Sequence, residues 1–339
     1  MVGYVDYIRE LAHRLKERNA IECLSLKTIP GIGSNGRFSV EGIFHGAADF
    51  ANPMTNTCLN ITNLRLSLRL SEEVAHVIHY ICSFPRLESL FLKFTRLQAA
   101  LHSTTWTPSA HRLPLVTLKT LDLYVIFPTT RPTVKDLWYR WMKTHPPSSL
   151  RLSHLSLVIS IMQSDHAINP ARVFELCNKQ FLKVLRLQIG ARSRLSDTPD
   201  IDTLVSKIID VSALTSLEIL QIKILDVQTH KSSSSFIRLF TCIIRRISST
   251  ELRKLTIILE KPFKDDDLDE TLVKEDWDLL DSVIQALPSL PVLEVLISSD
   301  SDDWDEHEKM LKEGFWRCRK AGKLVLQAQE KPEKVWPWT

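Results

Sequence analysis

The sequence predicts an α/β chain, a horseshoe-shaped solenoid with a parallel sheet of about ten strands on its concave side and a mostly helical convex side. Three observations predict it. The phrase L-x-x-L-x-L recurs ten times between Ile21 and Leu326, at intervals of 26 to 41 residues. Inside each phrase apolar and free positions alternate with the period of two that belongs to a strand. The segments between phrases carry helical patterns, so each unit supplies one strand and one crossover, which is what strands running in one sense require.

Taken in order, the elements justify themselves locally. Residues 1–20 contain Val5, Ile8, Leu11 and Leu15 on one helical face, which predicts a capping helix for the open end of the array. The solenoid proper is expected over residues 21–328. Its phrases are IECLSL from Ile21, ITNLRL from Ile61, LESLFL from Leu87, LKTLDL from Leu118 and LSHLSL from Leu152. LKVLRL from Leu182, LEILQI from Leu217, LRKLTI from Leu252, LEVLIS from Leu293 and AGKLVL from Ala321 complete the set, the last two with Ser298 and Ala321 at leucine positions.

Helices are expected from Ser71, whose side chain suits an N-cap before an acidic first turn, and from Thr133, where the pattern stops at Pro146. Another starts at Asn169 with Pro170 in the first helical position. IDTLVSKIIDVSAL, SFIRLFTCIIRRISS and EDWDLLDSVIQAL continue the series. Acidic, solvated insertions are expected near residues 261–278 and 299–308, and residues 329–339 form a C-terminal tail.

The phrase and its alternation with helices resemble leucine-rich-repeat proteins. "LPSLPVLEVLIS" from Leu287 and "FWRCRKAGKLVL" from Phe315 resemble the repeat region of fungal F-box-like proteins. That family places Asn or Cys at the ninth position of the repeat, where its side chain bonds the turn. Here the ninth positions from the second to the eighth repeat hold Arg69, Thr95, Ile126, Ser160, Gly190, Leu225 and Glu260. The F-box itself is not seen: residues 1–20 contain no proline and no L-P-x-E opening. The resemblance implies substrate recognition in an F-box-type ubiquitin ligase system, with a Skp1-type adaptor as partner.

Motifs that suggest chemistry are accounted for more simply by structure. Gly31, Gly33 and Gly36 spell G-x-G-x-x-G, but Arg37 to Val40 make a poor helix start where a dinucleotide fingerprint needs one, so the stretch reads as a turn. His76 and His79 lack a third ligand nearby, and the carboxylates from Asp265 to Asp276 have Glu270 where a calcium loop needs glycine. No nucleophile–base motif or phosphate loop is present. The chain is therefore expected to be no enzyme and to need no cofactor and no metal.

Six cysteines without a C-x-x-C pair suit reduced thiols, hence a cytoplasmic or nuclear setting. The first twenty residues show no secretory pattern, and no apolar run reaches about 18 residues, so no membrane role is expected.

Function is expected on the free strand positions of the concave face. Lys27, Arg65, Arg69, Phe91, Lys93, Tyr124, Arg186, Gln188 and Lys223 are the candidate partner-binding residues. Cations around aromatic anchors suit an acidic protein ligand. Between Glu260 and Lys309 there are 17 acidic and 4 basic residues, which leaves the remainder strongly basic. The expected function is a non-catalytic protein–protein interaction scaffold. The alternative is a nucleic-acid-associated leucine-rich-repeat protein, ahead of an enzyme of unrecognised type.

Overall fold

The computed structural model describes residues 23–27, 62–68, 81–82, 86–94, 117–125, 149–161, 177–191, 211–225, 233–259, 270–298 and 304–329. The chain divides into two compact units, Met1–His154 with Glu175–Asn178, and Leu155–Phe174 with Lys179–Thr339. The expected capping helix, the glycine stretch after Thr28, the two histidines at 76 and 79 and the C-terminal tail beyond Gln329 lie outside the described residues.

The described parts are α/β, with every named strand pair parallel. Each of the ten phrases supplies one strand. In the first unit β1 (Cys23–Lys27), β2 (Asn63–Leu68), β3 (Ser89–Phe94) and β4 (Thr120–Val125) pair in chain order. Their phrase leucines stand in register, Leu24 beside Leu64, then Leu90, then Leu121. Leu64 and Leu90 are fully buried, as are Leu87 and Leu118, which open the third and fourth phrases. Burial of each such leucine contributes roughly 1.5–3 kcal/mol. β5 (His154–Ile161), the strand of the fifth phrase, belongs to the second unit from Leu155 onward.

The second unit repeats the scheme with β6 (Val184–Ala191), β7 (Ile219–Leu225), β8 (Lys254–Leu259), β9 (Val292–Ser298) and β10 (Leu324–Gln329), again paired in chain order. One row runs Leu185, Leu220, Leu255, Leu293, Leu324; the next runs Leu187, Ile222, Ile257, Val295, Leu326. This register corrects the ninth phrase. Leu293 stands beside Leu255, the fourth residue of its phrase, so the phrase opens at Leu290 and reads LPVLEV. Leu290 is buried like its counterparts Leu182, Leu217 and Leu252, and the misfit at Ser298 disappears.

A single hydrogen-bond device starts five of the strands, those that open at Ser89, Thr120, His154, Ile219 and Lys254. The N–H groups of the second and third phrase residues both donate to the carbonyl of the second residue one repeat earlier: Glu88 and Ser89 to Thr62, Lys119 and Thr120 to Glu88, Ser153 and His154 to Lys119. Glu218 and Ile219 donate likewise to Lys183, and Arg253 and Lys254 to Glu218, at 2.8–3.2 Å throughout. Hydroxyls reinforce the step: Thr117 Oγ1 donates to the Leu87 carbonyl at 2.9 Å, and buried Ser249 Oγ to that of Leu217 at 2.7 Å. These side chains tie the backbone of one repeat to the next.

The second phrase position also carries ion pairs, Lys119–Glu88 at 2.9 Å and Lys183–Glu218 at 2.7 Å. The Lys183 hydrogen bond holds the Glu218 carboxyl below its usual range, and the same bond holds the Lys183 ammonium above its own. A lowered carboxyl contributes stability that is full above its unfolded pKa and is lost as pH falls through the folded value. Glu218→Gln is thus expected to lower the urea midpoint at neutral pH, with the difference from wild type closing below about pH 4. A difference that persists in acid would show that the pair is not its source.

In the second unit the crossovers contain α1 (Ser233–Arg245), α2 (Glu270–Gln285), α3 (Trp304–Gly314) and α4 (Trp316–Lys320). α1 and α2 pack together. α1 buries Ile237, Phe240 and Ile244, and α2 buries Trp277, Leu280 and Ile284, each set at helical spacing. Arg238 Nε donates to both oxygens of Asp276, at 3.0 and 3.1 Å, joining the two helices.

The acidic segments are therefore not simply solvated insertions. From Glu270 the first is helix, and Asp276 and Trp277 are buried. The second is helical from Trp304, with His307 buried.

α4 is held at both ends by other parts of the chain. Its N-cap, Phe315, is 1% exposed and has no side-chain acceptor to offer; its ring meets Trp277 edge-on, with centroids 5.0 Å apart. Fully buried Asp281 of α2 takes over the capping, accepting from Arg317 N at 2.7 Å and Cys318 N at 3.1 Å. At the other end Gly322 takes φ +69°, while its N–H donates to Arg319 O and the Lys323 N–H to Cys318 O, the Schellman arrangement that turns the chain into β10. A Cβ on Gly314 would meet the Trp277 ring at 3.0 Å, so any larger residue at the end of α3 requires that indole to give by a few tenths of an ångström.

Burial pushes the thiols of Cys82 and Cys177 up to about 12, and that of Cys318 higher still, with Asp281 adding to the burial effect. Cys177 and Cys318 are fully buried, and thiolate is the reactive form. Both are expected to be silent to a disulfide reagent at pH 8 in the native protein and to react within seconds in urea. Fast labelling of either without denaturant would contradict their placement.

Candidate interaction surface

Alternation along each strand sets the free phrase positions on the face opposite the leucines. Parallel pairing then aligns them into rows. In the first unit one row runs Ser25, Arg65, Phe91, Asp122, and the next runs Lys27, Ser67, Lys93, Tyr124. The register thus brings the backbone positions of Arg65 and Phe91 side by side, as it does those of Lys93 and Tyr124. Phe91 is 9% exposed and Asp122 half-buried. Arg69 lies outside the described residues.

In the second unit the first row runs Arg186, Gln221, Thr256, Glu294, Val325, and the second runs Gln188, Lys223, Ile258, Leu296, Gln327. Arg186 is adjacent to Gln221, and Gln188 to Lys223, so these three sequence candidates share a patch. Their accessibility differs. Arg186 and Gln221 are half-buried, but Gln188 is 4% and Lys223 5% exposed. Toward β8 and β9 the second row becomes apolar, and Ile258 and Leu296 form a small buried cluster. β8 is thereby buried on both faces, as a parallel strand with a continuous apolar run is expected to be.

Electrostatically the first row is organised around Glu294. Its Oε2 accepts from Thr256 Oγ1 at 3.0 Å and pairs with Lys254 Nζ at 2.9 Å. The row therefore passes from a cation at Arg186, through neutral Gln221, to a carboxylate whose charge is matched by Lys254. Placing the ninth phrase at Leu293 hides Glu294 and Leu296 from this face. The signal that finds them is Leu290, three residues earlier, which restores the leucine at the phrase's first position.

Among the described residues no group of three or more His, Cys, Asp or Glu side chains could hold a metal ion, and no helix is long and apolar enough to cross a membrane. No protein family matches the chain in a scan of family models, and no curated protein matches it. The surface has to be interpreted from its own chemistry. What it presents is a set of rigidly spaced rows, one residue per strand, with Arg186, Gln221 and Glu294 partly reachable by solvent and bordered by buried apolar side chains.

Proposed function

We propose that the chain is a leucine-rich-repeat solenoid acting as a non-catalytic protein-interaction scaffold, with the free strand positions as its binding face. The observation that carries this reading is the register. In each unit neighbouring strands pair in parallel with their phrase leucines in one row, so a variable side chain is offered at a fixed step while the leucines beneath stay constant. That combination suits recognition of an extended ligand, because each repeat can be changed without disturbing its neighbour's fold. A protein ligand with acidic groups fits the cations of the rows, with Phe91 and Tyr124 as aromatic anchors. Substrate recognition in an F-box-type ubiquitin ligase is the specific form implied by the family resemblance.

Affinity purification of wild type beside a variant with Arg65, Phe91, Tyr124 and Arg186 replaced by alanine tests it. The expected result is loss of the main partners from the variant and also from a second variant that replaces Arg65, Tyr124 and Arg186 alone. The second keeps Phe91, which is only 9% exposed, so that lost binding is separated from lost stability. Identical partners in all three preparations would exclude the rows as the binding face. Recovery of a Skp1-type adaptor with the wild type would support the ligase form. Binding of heterologous RNA with a steep log–log salt dependence would instead favour the nucleic-acid reading.

A further inference from the structure

We propose that the exposed face of α4, formed by Trp316, Arg319 and Lys320, is a second docking site, which takes an acidic segment of a partner protein carrying an aromatic or large aliphatic residue. Trp316 is 45% exposed, and Leu279 of α2 is 42% exposed. The indole is nevertheless fixed. Its Nε1 donates to Asp278 Oδ1 at 3.0 Å, and the Arg317 guanidinium stacks 4.4 Å above the ring. Arg317 is itself held, 3.1 Å from Asp278 Oδ1 and 3.7 Å from Asp281 Oδ2. An aromatic side chain ordered in advance and left in water has already met the entropy cost of immobilisation that binding otherwise imposes. Tryptophan is among the residue types enriched at interface hot spots.

The surrounding charge selects the occupant. Arg319 and Lys320 follow Trp316 by three and four residues, which places them on the same side of the helix. Both are exposed, and among the described residues neither is in an ion pair, whereas the charge of Arg317 is already matched by Asp278 and Asp281. Two free cations beside a fixed indole favour carboxylates flanking an apolar anchor and repel a basic segment. Nucleic acid fits less well, since two cations release few counterions and the indole's N–H edge is already engaged. The site is distinct from the strand rows, so it stands or falls separately from the proposal above.

Selection of a displayed random-peptide library on the full chain tests it, followed by anisotropy titration of the enriched peptides. Enriched sequences are expected to hold Phe, Trp, Tyr or Leu among Asp and Glu, and Trp316→Ala to weaken them at least about 30-fold. The double variant Arg319→Glu/Lys320→Glu touches no buried group, and on reselection it should invert the preference to Lys and Arg. Arg186→Ala should leave both results unchanged. Absence of enrichment, acid-free consensus peptides, unchanged affinity in the charge-reversed variant, or loss of binding only with Arg186→Ala would each overturn the proposal, as would competition by single-stranded RNA at equal charge concentration.

Discussion

Replacing Asp281 by alanine is expected to lower the unfolding free energy by about 4 kcal/mol, among the largest effects of any single substitution in the second unit. The carboxylate is fully buried, yet it is not an isolated charge. It accepts the N–H groups of Arg317 and Cys318 at the start of α4 and lies 3.7 Å from the Arg317 guanidinium. Removing it leaves two donors at a helix N-terminus without partners, because the N-cap residue Phe315 is committed to the core and has no acceptor of its own.

Asp281→Asn keeps one oxygen and replaces the other with a donor, so it is expected to lose about half as much. Asp278→Ala removes a carboxylate that is nearly half exposed and is expected to cost about 1 kcal/mol or less. Urea titrations followed by tryptophan fluorescence measure all three. Equal losses at 278 and 281 would mean that Asp281 does not act as the cap.

The leucine phrase made the strands legible because it states one physical requirement ten times. A strand whose alternate residues face a core must place apolar side chains at period two, and stacking requires them at the same place in each repeat. The ninth phrase shows where the same reasoning slips. In Leu290-Pro-Val-Leu-Glu-Val the leucines at 290 and 293 are three apart, and Leu293 can open one phrase or serve as the fourth residue of another. Pairing with β8 resolves the ambiguity, and a pairing is a property of two segments.

Burial of the second row was legible in part. Ile257, Ile258 and Leu259 form an unbroken apolar run, which signals a strand covered on both faces, whereas Gln188 and Lys223 carry polar ends that gave no such sign. The Asp281 cap was not legible at all. Its sequence neighbourhood is merely acidic, and only the packing of α2 on α4 turns one of those carboxylates into a helix cap.

The second large effect separates a repeat array from an ordinary core. Leu255 and Leu324 stand in the same register row, on β8 and on β10. Leu255 has a paired strand on each side and is fully buried, whereas β10 ends the strand order and its Leu324 is only half-buried. Leu255→Ala is expected to cost about 3–5 kcal/mol, the loss of transfer energy plus a cavity that neighbours on both sides cannot close.

Leu324→Ala removes the same atoms at a position already reached by water, so about 1–2 kcal/mol is expected. Leu290→Ala should match Leu255→Ala, because the corrected phrase gives it the place that Leu252 holds one repeat earlier. In a stacked array each repeat depends on its immediate neighbours, so the cost of one deletion should follow how many flanking strands it has. Denaturation midpoints of the three variants, with slopes compared, decide the matter. Equal losses at Leu255 and Leu324 would point to a core shared by all strands alike, and a mild effect at Leu290 would return the ninth phrase to Leu293.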